Sequence, residues 1–475
     1  MKVVLTTSPR AEGDMERGGL PFLGIGYIAS WLEKKGYEVA ITDPHTFDWG
    51  VDKSVAEILR HEPDAVGVNA TTNNRLKGIA LIKELKKKNP NLFIFVGGPH
   101  FALTAENALK NVPEIDAVVK GEGEITSQEL LDAIQKNEDL SGVQGIFYRD
   151  KNGQIKETLD RPFEQDINKF TLNWELFELG KYYRTIDGTD IKAVGVMSSR
   201  GCPNFCAFCV SSAFWKAILR LRDPIKFVDE VEYLKNKYGF EGFDFWDDTL
   251  TISKEHVKAI CQEIIKRNLN IKWYAPTRAN AVDKEILSLM KKAGCIRISF
   301  GAESGSPRIL KLVKKGIMPE QVIKAAQMSA DLEIKAMVNF MVNLPYETLD
   351  DLKMTIELMK KLNKIKNVTA AYGFSIIYPG TEMEAMAKKE GWFPKDFSWN
   401  ESYKSEKYKI AGVDSSLPLM EWRGAEIEKI KAIITKELGV RGGFWKKGFR
   451  KIKKIKSLKD FKSLVKAGFR YLKTK

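Results

Sequence analysis

The sequence is poor in cysteine and histidine and has no long apolar run. Five cysteines in 475 residues are too few for a disulfide framework. They point to a reducing compartment, where clustered thiols are available as metal ligands. No stretch of about 18 apolar residues occurs, which argues against a spanning helix. Met1–Arg10 has too short an apolar run for a secretory signal. No G-x-G-x-x-G follows the first strand pattern, so a dinucleotide-binding domain is disfavoured. Net positive charge is also scarce over most of the chain. Of the net +14, +13 lies in residues 441–475, leaving the first 440 residues nearly neutral. A body that reads nucleic acid would hold its basic charge itself, so a nucleic-acid partner is not expected.

What is present is enough for about three domains of ~150 residues. The chain is 44% hydrophobic and 29% charged, which excludes wholesale disorder. Over residues 1–135, short β-rich runs (Val3–Leu5, Glu38–Ile41, Ala65–Val68, Leu92–Val96, Asp116–Val119) alternate with helical patterns such as Leu23–Lys35 and Leu76–Lys88. This alternation predicts an α/β, doubly wound parallel sheet. Its ligand crevice would lie at the carboxyl ends of the strands. The turn residues fall there: Thr71 and Thr72, Gly97 and Gly98, Gly121 and Glu122. A hairpin is expected at Val143–Arg149 and Gln154–Thr158, then a linker. A second series has strands at Ala193–Met197, Phe243–Trp246, Ile271–Ala275, Ile296–Phe300, Ala336–Val342 and Gly373–Ile377. Six β/α units predict a barrel or partial barrel with its chemistry at the carboxyl ends. Trp246, Trp273, Tyr274 and Tyr378 are candidates for an apolar cavity wall. The expected division is 1–140, 141–188, 189–390, 391–440 and 441–475.

Cys202, Cys206 and Cys209 form C-x3-C-x2-C after the first strand of the second series. Thiolates suit iron–sulfur clusters and zinc. A structural zinc site needs four ligands, and His45, His61, His100 and His256 are all distant in sequence. Three thiolates on a four-iron cluster leave one iron open, and that reading is favoured. Cys261 and Cys295 read as core residues.

The triad, with Phe208 before its third cysteine, resembles the radical S-adenosylmethionine (SAM) enzymes. The resemblance implies a [4Fe–4S] cluster on Cys202, Cys206 and Cys209, whose open iron binds SAM. One electron then cleaves SAM to a 5′-deoxyadenosyl radical. It also implies SAM contacts from Phe208, Asp247 (in Asp247-Asp248-Thr249), Arg278, and Glu303 and Ser304 of Gly301–Ser306. Tyr378-Pro379-Gly380-Thr381 resembles a segment of one large subfamily. Asn343-Leu344-Pro345-Tyr346-Glu347 departs from the family's Gly-x-Pro-Gly-Glu, which puts backbone contact to SAM there in doubt. A doubly wound domain before such a barrel resembles the cobalamin-binding subfamily. The matching segments are Pro21–Tyr27, Val96–His100 and Lys120–Glu124, and cobalamin contacts are implied for Thr71, Thr72, Gly97, Gly98, Gly121 and Glu122. Asp43-Pro44-His45 is only superficially like a cobalt-ligating D-x-H-x-x-G, because position 48 is Asp. Cobalt is expected to lack a histidine ligand.

The expected function is a cobalamin-dependent radical SAM methyltransferase acting on an unactivated carbon of a hydrophobic, lipid-like or natural-product substrate, with an external one-electron reductant. A cyclase or rearrangement enzyme is the alternative. A tRNA methylthiotransferase would need cysteines in its first domain, and residues 1–201 contain none. A non-catalytic cobalamin sensor is disfavoured by the intact triad. The tail places Phe449, Ile452, Ile455, Leu458, Phe461, Val465, Phe469 and Leu472 at spacings of three and four beside a lysine face. That pattern suits a helix lying on a membrane surface, and a cytoplasmic protein peripheral to the inner face is expected.

Overall fold

The computed structural model describes residues 1–11, 19–182, 184–186, 189–393, 397–401 and 427–438. The basic tail at 441–475 and most of 391–440 lie outside the described residues. Among the described residues no helix is long and apolar enough to cross a membrane.

The first sheet contains β1 (Lys2–Thr7), β2 (Glu38–Thr42), β3 (Ala65–Asn69), β4 (Phe93–Gly97), β5 (Ala117–Val119), β6 (Ile146–Arg149) and β7 (Ile155–Glu157), in the order β2-β1-β3-β4-β5-β6-β7. β1–β5 are parallel. Their apolar runs are continuous because both faces are covered. Val3 and Leu5 pack with helices Leu23–Lys34 and Gly123–Gln135, whereas Val4, Val66 and Ile94 pack with Val51–Leu59, Arg75–Lys88 and Gly98–Leu103. The hairpin β6–β7 adds antiparallel strands to this sheet through β5.

The second sheet consists of β8 (Ala193–Val196), β11 (Gly242–Phe245), β12 (Lys272–Thr277), β13 (Cys295–Glu303), β14 (Lys335–Val342) and β15 (Val368–Phe374). All six are parallel, in the order β15-β14-β13-β12-β11-β8, so β8 and β15 are the edges of an open barrel. A small ribbon of β9 (Ser199–Arg200) and β10 (Arg220–Leu221) follows β8. The sixth strand lies earlier than Gly373–Ile377. Its centre, Thr369-Ala370-Ala371-Tyr372, carries little apolar signal because it is a half-exposed edge. The apolar Ile377 leaves the sheet and packs with Ala207, Ile309 and Leu344.

Strand alternation divides this barrel's residues. Phe243, Phe245 and Trp273 face the helices. Trp273 is fully buried, stacks on Phe245 at 4.7 Å, and its indole donates to Ala293 O at 2.9 Å. Trp273 therefore does not line the cavity. The lumen is lined by Asp244, Trp246, Tyr274 and Asn339, of which Trp246 and Asn339 are exposed, whereas Tyr372, paired with the buried Phe340, faces the helix side. A packed barrel interior would be filled by branched aliphatic side chains. This one is open and largely polar.

The carboxyl-end rims of the two sheets face each other. Helix Gly98–Leu103, after β4, packs on helix Val210–Trp215, after the cysteine loop. Gly380, after β15, has φ +73°, and a Cβ there would fall 2.9 Å from Leu103 Cδ2. After β5, Glu122 and Glu124 bind Arg200, at 2.6 and 2.7 Å, and Glu122 also binds Arg220 at 2.6 Å. All four side chains are buried. Tyr27 stacks beneath the Arg200 guanidinium at 4.9 Å. The linker adds Phe170, Trp174, Phe177 and Tyr182 to one apolar core shared by helix Leu23–Lys34 and the barrel helices.

Candidate active site

The cysteine loop begins at Gly201, with φ +87° and its Cα against the Ile218 carbonyl, where a side chain has no room. The bend before it is anchored by Asp247, at the exit of β11. Asp247 is buried and accepts from Ser198 N–H at 3.3 Å, Ser198 Oγ at 2.7 Å and the Ser199 hydroxyl. His256 Nε2 meets Ser198 Oγ at 3.2 Å from below. Burial pushes the Asp247 carboxyl up and the His256 imidazole down. Asp247 thus holds the loop rather than facing a ligand. Its neighbour Asp248 is enclosed on several sides by protein, beside the Ser211 hydroxyl and Gly201 N–H, yet stays open to water. That is the situation of a group on a cleft floor. Asp248 is the carboxylate available to a ligand.

Each thiol has its own surroundings. Cys202 Sγ accepts from Asn204 Nδ2 at 3.2 Å and lies 3.6 Å from Thr249 Oγ1. Cys206 is buried and accepts from Arg278 Nη1 at 3.5 Å. Cys209 is pushed up by burial. Among the described residues no three His, Cys, Asp or Glu side chains converge as a single-ion site. The three thiols on one loop, with donors aimed at two of them, fit a cluster that spreads its ligands apart. Arg278, expected near SAM, is buried between Cys206 and the Lys315 carbonyl. Cys261 and Cys295 are fully buried core residues.

The Gly301–Ser306 segment divides its work. Glu303 has φ +63°, and Ser304 N–H closes a three-residue turn onto Ala302 O at 2.8 Å. This rare conformation turns the Glu303 carboxylate back to Lys315 Nζ, at 2.7 Å, with both groups buried. A Cβ at Gly301 would lie 2.8 Å from Lys315 Nζ, so glycine makes room for the pair. Lys315 Nζ is 5.7 Å from the centre of the Phe208 ring. Ser304 points the other way. It is fully buried with its Oγ 3.1 Å from Thr355 Oγ1, and Gly305 N–H donates to the same hydroxyl at 2.9 Å. Ser306 caps helix Pro307–Leu312. Ser304 is therefore part of the packing against helix Leu349–Leu362, not of a ligand site. Lys315 carries no sequence signal of its own; only the turn at Glu303 brings it in.

At the end of β14 the departure from the glycine pattern keeps the glycine conformation. Asn343 and Tyr346 have φ +63° and +56°. Glu347 Oε2 accepts from Asn343 N–H at 2.6 Å, and burial raises the Glu347 carboxyl to about 7.

The first-sheet crevice lies opposite this loop. A Cβ at Gly97 would meet nothing nearer than 3.7 Å, and Gly24 has nothing within 4 Å. Helix Leu23–Lys34 has no side-chain cap at its start. Open space at Gly24, and ordinary contact with Val119 at Gly97, leave room for a large, flat cofactor. Thr71 N–H and Oγ1 bond Asn74 Oδ1 at 2.9 and 3.1 Å. Gly98, at φ +81°, and Gly121, at φ +65°, shape the turns. Two expected contacts are engaged elsewhere. Thr72 is covered, with Oγ1 3.3 Å from His100 Nδ1 under Trp399, and both Glu122 oxygens are taken by Arg200 and Arg220. His45 sits at the crevice, but Asn74 Nδ2 is 3.3 Å from its Nδ1.

Comparison with known proteins agrees with this geometry. The radical SAM superfamily matches residues 196–359 and the B12 binding domain matches residues 17–131. An uncharacterised methyltransferase of Pyrococcus horikoshii is 34% identical over 386 residues, covering 81% of this chain and 82% of the relative. An anaerobic magnesium-protoporphyrin IX monomethyl ester cyclase of Rubrivivax gelatinosus is 32% identical over 354 residues, 73% of this chain and 63% of the relative. In fold, the chain is similar to the cobalamin-dependent SAM radical enzyme OxsB solved with aqua-cobalamin and SAM. The TM-score is 0.72 at 19% identity, over 100% of this chain and 70% of that one.

Two outcomes are expected. Anaerobic reconstitution should give about four irons and four sulfides per chain. Iron analysis should show their loss in Cys206→Ala and their retention in Cys261→Ala. Glu347, raised above its unfolded value, binds an extra proton in the folded state between about pH 4.5 and 7, so its contribution to stability is lost as pH rises through that window. Thermal midpoints should fall across this range in the native chain and change less in Glu347→Gln, which keeps the acceptor for Asn343.

Proposed function

The chain belongs to the cobalamin-binding radical SAM enzymes, and from that premise we propose that it transfers a methyl group to an unactivated carbon of a small amphipathic molecule. The observation that carries this reading is the opposition of the two rims. The bare-backbone crevice above β1, β3 and β4 faces the cysteine loop, with the barrel lumen between the helices beneath. A methyl carrier and a radical source would then reach one substrate atom.

When bound, the cluster, SAM and cobalamin supply the radical and the methyl group; the chain supplies position and charge. Cys202, Cys206 and Cys209 would hold the cluster. Asp248 would take the ammonium of SAM, and the Lys315 ammonium, held by Glu303, would face its carboxylate. Phe208, half-buried beside Lys315, would pack on the adenine. Thr71, Gly97 and Gly24 would border the corrin. An external one-electron donor is required. The lumen narrows the substrate class. Trp246 covers Gly195, where a Cβ would fall 3.0 Å from the indole, and the two give an apolar wall. Below them Asp244 accepts from the Tyr274 hydroxyl, with Arg184 at 4.0 Å. An amphipathic substrate fits this lining better than a wholly apolar one. A cyclase is the second reading, favoured by the identity to the Rubrivivax cyclase.

Loaded protein should be incubated with methyl-deuterated SAM, reductant and extract of cells lacking this chain. Deuterium in a new product supports methyl transfer. SAM cleavage with an unlabelled new product would replace it by cyclisation or rearrangement.

The tail at 441–475 supports reversible docking on an anionic membrane, since each basic residue near such a surface contributes roughly 1 kcal/mol. Full-length chain should sediment with anionic liposomes at low salt, and chain ending at Val440 should not. Equal behaviour of both would reject docking.

A further inference from the structure

Cys202 and Cys206 differ in what meets their sulfur. Cys202 is met by a neutral amide and a hydroxyl. Cys206 is met by a guanidinium: Arg278 Nη1 lies 3.5 Å from its Sγ, while Nη2 donates to the Lys315 carbonyl. Arg278 is itself 5% exposed, so its charge is weakly screened by water. The Lys315 charge is already matched by Glu303 at 2.7 Å. Among the described residues the Arg278 guanidinium pairs with no carboxylate and is directed at sulfur. Hydrogen bonds to the sulfurs and local net charge set the potential of an iron–sulfur cluster. A cation on one ligand stabilises the state with more negative charge.

We propose that Arg278 is a positioning residue that raises the reduction potential of the cluster through Cys206, and is not a ligand of SAM. In the step concerned, the oxidised cluster takes one electron from an external one-electron donor. The donor is oxidised by one electron, and no bond forms or breaks. The added charge on Cys206 sulfur strengthens its hydrogen bond to Arg278. The fork geometry matters, because the second nitrogen fixes the guanidinium on the Lys315 carbonyl. The proposal holds whether methyl transfer or cyclisation follows, and its readout requires no substrate.

The test is an EPR-monitored redox titration of reconstituted protein, with titanium(III) citrate as donor and iron content measured first. Removing a charge-assisted hydrogen bond is expected to lower the ratio of reduced to oxidised cluster about tenfold at fixed potential, or about 59 mV for one electron. Arg278→Gln should show this drop. Arg278→Lys should show a smaller one, because the charge stays but the fork is lost. SAM binding, measured by equilibrium dialysis, should stay within about twofold in both. An unchanged midpoint in Arg278→Gln at full iron loading would overturn the proposal. So would a large loss of SAM affinity at unchanged midpoint, which would make Arg278 a SAM ligand. If Arg278→Gln fails to hold iron, Arg278→Lys decides: a lowered midpoint supports the proposal and a native one rejects it.

Discussion

Arg200 lies at the seam of the two sheets and carries the geometry of both. Its guanidinium binds Glu122 and Glu124 from the loop after β5 and rests on Tyr27 from the first helix. It stands two residues before Cys202. Arg220, on the paired strand, completes the set on Glu122. Buried ion pairs are weak sources of net stability, but removing one partner leaves an uncompensated buried charge, a cost of about 3–5 kcal/mol. Their effect here is directional. Hydrophobic contact between helix Leu23–Lys34, the linker aromatics and the barrel would tolerate sliding. Four charges in fixed register would not. The ribbon β9–β10 is thereby pinned to the first sheet, and the cysteine loop leaves that ribbon facing the crevice.

The surroundings of the thiols follow the same logic of fixed charges on short, constrained segments. Asp247 ties the approach to the loop, the turn at Glu303 carries a backbone conformation that few side chains adopt, and Lys315 is held by it. Asn343 and Tyr346 keep positive φ where relatives of this type are expected to have glycine. Strain of this kind persists only where surrounding structure over-determines it, and Glu303, Asn343 and Tyr346 place it at the ends of β13 and β14.

Much of this was legible in the residues. Both alternating series, the parallel order and the triad follow from apolar periodicity and cysteine spacing. What escaped was long-range pairing. Nothing local to Asp247 or Asp248 distinguishes the carboxylate that faces Ser198 and Ser199 from the one that faces the cleft. Ser304 and Glu303 are neighbours, but a single turn sends them to opposite sides. Glu122 lies in a glycine-rich turn that suits a ligand crevice, and only the arrival of Arg200 and Arg220, about 80 to 100 residues later in the chain, gives it another role. Trp273 looked like a cavity residue because its strand was recognised without its phase. The sixth strand was displaced because an exposed edge strand carries less apolar signal than the buried turn after it.

The two rims hold the crevice and the cysteine loop face to face through the Arg200 charges. Pulsed EPR on protein carrying both the reduced cluster and cob(II)alamin tests it directly, because two nearby spins couple through space. A coupled spectrum is expected in the native chain, and weakened or heterogeneous coupling in Arg200→Met at equal cofactor loading. Two independent, uncoupled signals in the fully loaded native chain would contradict it.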